Sequence, residues 1–195
     1  MTGGTGFVGK ALVEALLSRG DSVTVLTRSI EKAQAIFPEK TLQFLTALST
    51  LKDLNTFDTV INLAGEPIFD KKWTAQQKEK LRHSRIDLTQ QLVQLINQSE
   101  YPPVLISGSA TGIYGDGGED VITEDTNPST QFTAQLCIDW ENAAKQANTR
   151  VCLVRTGLLL SPKGGAFAKI LPHYRFGLGG KLRKGKIPGK KRTKK

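Results

Sequence analysis

Residues 2–9 read Thr-Gly-Gly-Thr-Gly-Phe-Val-Gly, with Gly3, Gly6 and Gly9 in the spacing G-x-x-G-x-x-G. A pyrophosphate needs backbone N–H donors and the positive end of a helix dipole, and side chains on the turn would block its approach. Glycine removes that obstacle, and Phe7 and Val8 open the helix that would point at the phosphates. A glycine trio also serves ordinary turns and caps, so its weight comes from the helix and strand downstream of it. Over residues 7–17 the apolar positions Phe7, Val8, Ala11, Leu12, Ala15 and Leu16 form a helical stripe, and Gly20 sits just past it as a C-cap. Residues 22–27, Ser-Val-Thr-Val-Leu-Thr, are a β-branched run that reads as the next strand.

Outward from that unit, residues 59–64 and 104–107 read as further buried strands of a parallel sheet, and residues 150–155 as another. Residues 74–98 and 131–147 carry helical apolar spacing, and residues 164–178 predict one more helix. Strand, helix, strand in repetition predicts an α/β fold, a doubly wound parallel sheet of Rossmann type with right-handed crossovers. Residues 1–180 form one nucleotide-binding domain in this reading. Residues 181–195 abandon any apolar period and read as a disordered basic tail.

The glycine turn normally comes after a buried strand, and Met1 alone precedes it. The expectation is therefore a sheet lacking its first, central strand. Losing roughly ten ladder hydrogen bonds at about 1 kcal/mol each would match the ~5–15 kcal/mol stability of a whole domain. That reasoning predicts a fragment or a displaced start. The change of composition after Gly180 likewise predicts an altered terminus, with the C-terminal substrate-binding region missing.

Formal charge is +9, but nine of the 27 Lys and Arg fall in the last fifteen residues, which hold no acid. The 18 that remain balance the 18 Asp and Glu, so the basic character belongs to the tail and not to a groove on the fold. Without interleaved aromatics the tail argues against nucleic acid as a partner. Cys137 and Cys152 lack metal-like spacing and read as reduced, buried and structural; no metal site is expected. The apolar stretches fall short of the about 20 residues that cross a bilayer. A cytoplasmic setting without membrane partners is expected.

The residue after the second strand selects the dinucleotide, because a carboxylate there accepts hydrogen bonds from the ribose 2′-OH of NAD. Thr27-Arg28-Ser29 stands at that place instead. A guanidinium suits the 2′-phosphate of NADP through charge-assisted hydrogen bonds, so NADP is expected over NAD. A solvated arginine at a strand end is the alternative.

At this point the chain resembles the extended short-chain dehydrogenase/reductase superfamily, and within it the atypical epimerase-like group described as SulA-like or YfcH-like. The resemblance rests on six ordered motifs: Thr2 through Gly9; Asn62-Leu-Ala-Gly-Glu-Pro67; Ser84-Arg-Ile86 with Thr89; Ser107-Gly-Ser-Ala-Thr-Gly-Ile-Tyr-Gly115; Trp140-Glu141 with Ala143-Ala144; and Phe176-Gly-Leu-Gly-Gly180. It implies that Gly3, Thr5, Gly6, Phe7, Val8 and Gly9 hold the phosphates and that Thr27 and Arg28 lie at the adenosine end. It also implies that Asn62, Leu63, Ala64 and Gly65 pass beside the adenosine and ribose, that Arg85 lies near the cofactor, and that Ser109 faces the nicotinamide. The expected function is an NADP-binding oxidoreductase or epimerase-like protein acting on a small carbonyl or sugar-like substrate, with a non-catalytic nucleotide-binding regulator as the alternative.

One departure bears on chemistry. The superfamily's Tyr-x-x-x-Lys pair, in which tyrosine transfers the proton and lysine tunes it, would fall on Thr133 and Cys137, and neither does that work at neutral pH. Ser109 is then the candidate to polarise a carbonyl or hydroxyl, and Tyr114 the nearest acid or base. Each has a plain alternative, Ser109 as a strand terminus and Tyr114 as a ring packed over the nicotinamide. Glu66, Asp116 and Glu119 read as turn or rim residues, and His83 and His173 as surface or packing residues without an evident partner.

Overall fold

The computed structural model of the chain describes residues 1–38, 41–68, 70–162, 164–165, 171–172 and 174–175. Helix α1 (Phe7–Arg19) forms on the predicted apolar stripe. It ends where Gly20, at φ 94°, turns left-handed and donates its N–H to the carbonyls of Leu16 and Leu17. Strand β1 (Thr24–Leu26), helix α2 (Ile30–Ile36) and strand β2 (Gln43–Leu45) come next, with the Ser29 hydroxyl capping α2 at the N–H of Lys32. Then come β3 (Thr59–Asn62), α3 (Ala75–His83), α4 (Ile86–Gln98), β4 (Val104–Ala110), α5 (Phe132–Ala144) and β5 (Val151–Thr156).

β1 pairs with β2, and β3, β4 and β5 pair in that order, all parallel. The two halves are joined by Met1 and Thr2. Thr2 bridges to Leu26 on one side and Asn62 on the other, and both bridges are parallel. Thr2 N–H donates to Ile61 at 2.8 Å, Leu63 N–H to Thr2 at 3.3 Å, and Leu26 N–H to Met1 at 2.8 Å. Two residues therefore hold the central place of the doubly wound sheet, between β1 and β3. A cavity of about 30 Å³ lies beside them, walled mainly by apolar side chains including Leu26, Leu45, Val60 and Leu92.

One core cluster sets Val13 of α1 against Val23, Val25 and Phe37. The other sets Leu92, Val93 and Ile96 of α4 and Ala144 of α5 against Val60 and Leu105. Val25 belongs to the first and Leu26 packs on the second, since consecutive strand residues face opposite sides of a sheet. Layers on both faces are what the alternating strand and helix pattern predicted.

The predicted continuous helix over residues 74–98 is instead two helices, parted at Ser84 and Arg85, whose side chains turn to bond the loop after β3. The strand predicted over 104–107 runs on to Ala110, so Ser109 lies within it. The chain forms two compact units, Met1–Gly157 and Leu158–Lys195. In the second, Leu160 and Ser161 pair antiparallel with Gly165 and Gly164. His173, the Phe176–Gly180 motif, the tail at 181–195 and most of the helix predicted over 164–178 lie outside the described residues. Among the described residues no helix is long and apolar enough to cross a membrane.

The Met1 amine donates to the Thr24 carbonyl at 2.7 Å, and burial pushes its pKa from 8.0 down to about 6. The unfolded chain therefore binds more protons than the folded one between pH 6 and 8, and stability rises with pH across that window. The gain is about 2 kcal/mol from pH 6 to pH 8. Urea denaturation at those two pH values should give the higher midpoint at pH 8; equal midpoints would show that the amine is not buried in the sheet.

Candidate functional site

The glycine turn packs too closely for side chains at three of its positions, Gly3, Gly9 and Gly4, whose Cβ would fall 2.8 Å from Val25 Cγ1. Gly3 has φ 68°, a left-handed conformation, and its missing Cβ would meet the Leu63 carbonyl carbon at 2.7 Å. A Cβ on Gly9 would fall 2.1 Å from the Gly3 oxygen, so the first turn of α1 can lie directly on the loop only because Gly9 has none. The Gly6 N-cap supplies no side-chain hydrogen bond, and the first intrahelical bond runs from Lys10 N–H to Gly6. The N–H groups of Phe7, Val8 and Gly9 thus remain for an outside acceptor at the positive end of a 13-residue helix. Phe7 and Val8 are exposed there, and Thr5 is half-buried on the turn. This cradle fits a pyrophosphate.

Arg28 is exposed past the end of β1, beside Thr27, whose hydroxyl donates to the Ser29 carbonyl. Across from it, Lys71 at 3.1 Å, and more weakly the field of Arg28, hold the Glu66 carboxyl below the usual carboxylate range. The Arg28 guanidinium thus stands exposed past β1, close enough for its field to reach Glu66.

The turn is tied to the rest of the sheet by a buried chain of hydrogen bonds. Thr2 Oγ1 donates to Asn62 Oδ1 at 2.7 Å and accepts from Ala64 N–H at 3.2 Å. Asn62 Nδ2 and Trp140 Nε1 both donate to Thr89 Oγ1, at 2.8 and 3.0 Å, while that hydroxyl donates to the Arg85 carbonyl at 2.6 Å. Thr2, Asn62 and Thr89 are each at most 2% exposed, so none of these groups has water as a substitute partner. Arg85 clamps the loop after β3. Its guanidinium lies against Gly65, donates to the Glu66 and Leu81 carbonyls, and sits 5.4 Å from the Trp140 ring. Burial lowers its pKa. Asn62 is buried, Leu63 and Ala64 are half-buried and Gly65 is exposed, and these contacts align the stretch behind the turn.

A second cluster sits at the carboxyl ends of β4 and β5. Ser109, 3% exposed, donates its hydroxyl proton to Glu141 Oε1 at 2.6 Å. Glu141, on α5, receives Arg155 in a bidentate pair at 2.8 Å on each oxygen. Arg155, with Ser109 assisting, holds the Glu141 carboxyl below its ordinary range, and Glu141 in turn raises the Arg155 pKa. Arg155 Nη1 donates to Tyr114 Oη at 2.6 Å and to the Glu124 carbonyl at 3.1 Å. Cys137 lies in the same neighbourhood, its thiol pushed up by burial and thus neutral.

The structure brings Ser109 and Tyr114 into one network, through Glu141 and Arg155, two residues that sequence reasoning left without a role. Their signal was a charged residue on an otherwise apolar strand and an acid on the inner face of a helix. Thr133 and Cys137 both lie on α5. Asp116 accepts from Gly118 N–H within its turn, and Glu119 is exposed. His83 does have partners, Asp87 at 2.7 Å and Glu79 at 3.7 Å, because helical spacing sets carboxylates four residues to either side. No metal-like cluster occurs among the described residues.

Comparison with known proteins agrees with this geometry. The family described as NAD dependent epimerase/dehydratase matches residues 1–177. Curated relatives include the chloroplastic epimerase family protein SDR39U1 homolog of Arabidopsis thaliana, 37% identical over 193 residues, covering 95% of this chain and 55% of the relative. Epimerase family protein YfhF of Bacillus subtilis is 35% identical over 195 residues, covering 95% and 62%. Among solved structures, human epimerase family protein SDR39U1 (isoform 2) with NADPH superposes at TM-score 0.79 with 30% identity, over 92% of this chain and 60% of that one. A nucleoside-diphosphate sugar epimerase of Corynebacterium glutamicum superposes at 0.76 with 32% identity, over 94% and 38%. The chain spans 55–62% of the length of the two curated relatives.

Thr89→Val keeps the shape but leaves the buried Asn62 amide and Trp140 indole without their acceptor. It is expected to destabilise the chain by about 1–3 kcal/mol. Urea denaturation measures this, and a loss under about 0.5 kcal/mol, the size of a surface change, would show that the network is not a structural tie.

Proposed function

The chain belongs to the NAD dependent epimerase/dehydratase family, and from that premise we propose that it is an NADP-binding protein of oxidoreductase or epimerase type, of the SulA-like or YfcH-like kind, acting on a small carbonyl or sugar-like substrate in the cytoplasm. One observation carries the cofactor half of the reading: the uncapped first turn of α1 lies on a loop with no room for a Cβ at Gly3 or Gly9. In this reading residues 1–180 are the nucleotide-binding domain and residues 181–195 an appended basic tail.

Gly3, Thr5, Gly6, Phe7, Val8 and Gly9 form the pyrophosphate cradle, in which the N–H groups of Phe7, Val8 and Gly9 are the donors. Thr27 and Arg28 receive the adenosine ribose, where the guanidinium meets a 2′-phosphate and no carboxylate stands after β1 to receive a free 2′-hydroxyl. Asn62, Leu63, Ala64 and Gly65 form the floor beside the ribose, held by Thr2 and by Arg85, which fixes the loop near the cofactor. When bound, the nicotinamide supplies reversible hydride chemistry. The human relative solved with NADPH supports the choice of NADP.

Thr133 and Cys137, where the superfamily's tyrosine and lysine would stand, favour a second reading, a nucleotide-binding regulator that does no chemistry. Turnover separates the two. NADPH oxidation against a carbonyl panel belongs to the first, and binding alone to the second.

The fluorescence of NADPH titrated with the chain should saturate. Arg28→Ala should weaken NADPH binding about tenfold or more while leaving NADH nearly unchanged, since a charge-assisted phosphate contact contributes about 1.5–3 kcal/mol. Failure of both dinucleotides to bind would overturn the proposal; equal loss for the two would overturn the role of Arg28.

A further inference from the structure

A cavity of about 410 Å³ opens at the carboxyl ends of β4 and β5, lined by Thr111, Tyr114, Ile122, Thr123, Glu124 and Arg155. Carboxyl ends of parallel strands are where open α/β sheets receive ligands. Two facts fix the chemistry that this cavity offers. First, the Tyr114 oxygen accepts from Arg155 at 2.6 Å, so the phenol is held by that contact and its own O–H proton has no part in it. Second, the Arg155 charge is already met. Its Nε and Nη2 are bonded to both oxygens of Glu141, whose side chain is 3% exposed. A neutralised guanidinium offers an anion little, whereas a phenol donor suits a neutral acceptor oxygen.

We propose that this cavity is the substrate-oxygen site of the chain, in which the Tyr114 hydroxyl donates a hydrogen bond to a neutral carbonyl or alcohol oxygen and Arg155, braced by Glu141, is the positioning residue that holds the phenol. The proposal deepens the carbonyl or sugar-like reading above and rests on it. Arg155 supplies, from a neighbouring strand, the cationic contact to a tyrosine that the superfamily's helical lysine would otherwise make. Ser109 has a supporting part: its proton goes to Glu141, so it helps hold the brace and is not a donor to the ligand.

The test uses the full chain and acetophenone labelled with ¹³C at the carbonyl, read by infrared absorption and by titration, with no dinucleotide added. Saturable binding is expected, and the bound carbonyl band should lie at lower wavenumber in the native chain than in Tyr114→Phe. That variant should bind about two- to tenfold more weakly, as loss of one hydrogen bond implies. Arg155→Met should move the band towards that of Tyr114→Phe although the phenol is still present, and Arg155→Lys should restore it. If Arg155→Met unfolds because Glu141 is left unpaired, Tyr114→Phe and Arg155→Lys decide the matter: a lysine variant with the phenylalanine band overturns the role of Arg155. Benzoate, the same shape with a negative charge, should bind no more tightly than acetophenone. Absence of saturable binding, an unchanged band in Tyr114→Phe, or benzoate bound tenfold more tightly would each overturn the proposal. The dinucleotide titration reports on the glycine turn alone, so failure of either reading shows separately.

Discussion

Thr89 Oγ1 is the point at which the layers of this fold meet. It accepts from Asn62 at the end of β3 and from Trp140 on α5, while its own proton goes to the Arg85 carbonyl at the start of α4. Asn62 in turn holds Thr2, whose backbone joins the two halves of the sheet. Thr2, Asn62, Thr89 and Trp140 are buried, so their polar groups are satisfied inside the protein or not at all, and a buried donor left unpaired costs about 1–3 kcal/mol. The glycine turn is aimed by this chain: Thr2 sits one residue before Gly3, and the Thr2 hydroxyl also receives Ala64 N–H from the loop that passes under the turn.

A second buried centre does similar work at the other end of the site. The Glu141 carboxylate, almost without exposure, is stable there because three donors converge on it, two from Arg155 and one from Ser109. Removing one partner of such a pair is strongly unfavourable, whereas the intact group is self-consistent. The arrangement ties β4, α5 and β5 together and brings the strand-end serine and Tyr114 into a fixed relation. Trp140 and Glu141, adjacent on α5, therefore serve the two networks separately, Trp140 reaching Thr89 and Glu141 reaching Arg155.

Much of the fold was legible because the signals are local. The stripe over residues 7–17 and Gly20 mark α1 by periodicity and by the need for a left-handed C-cap, and the β-branched runs mark buried strands. Ser84-Arg85 was legible as a motif but not as a break between helices. Its spacing continues a helical pattern, and only the loop carrying Gly65 and Glu66, far away in sequence, draws those side chains off. Ser109 read as a residue free to polarise a ligand, since nothing nearby in the sequence says that its proton is committed to a carboxylate 32 residues on. Arg155 was legible only as a charge in a strand.

Residues 2–28 by themselves determined the ligand class: glycines where a Cβ would collide, a helix start with no cap, and an arginine in place of the carboxylate that selects NAD. These are properties of short segments, set by backbone sterics and by the spacing of charge along the chain. Tertiary structure alone decided which polar groups are spent on holding the protein together and which remain for a ligand. Burial removes water as a partner, so the role of Ser109, Arg85, Glu141 or Tyr114 depends on which donor or acceptor folding brings within about 3 Å of it.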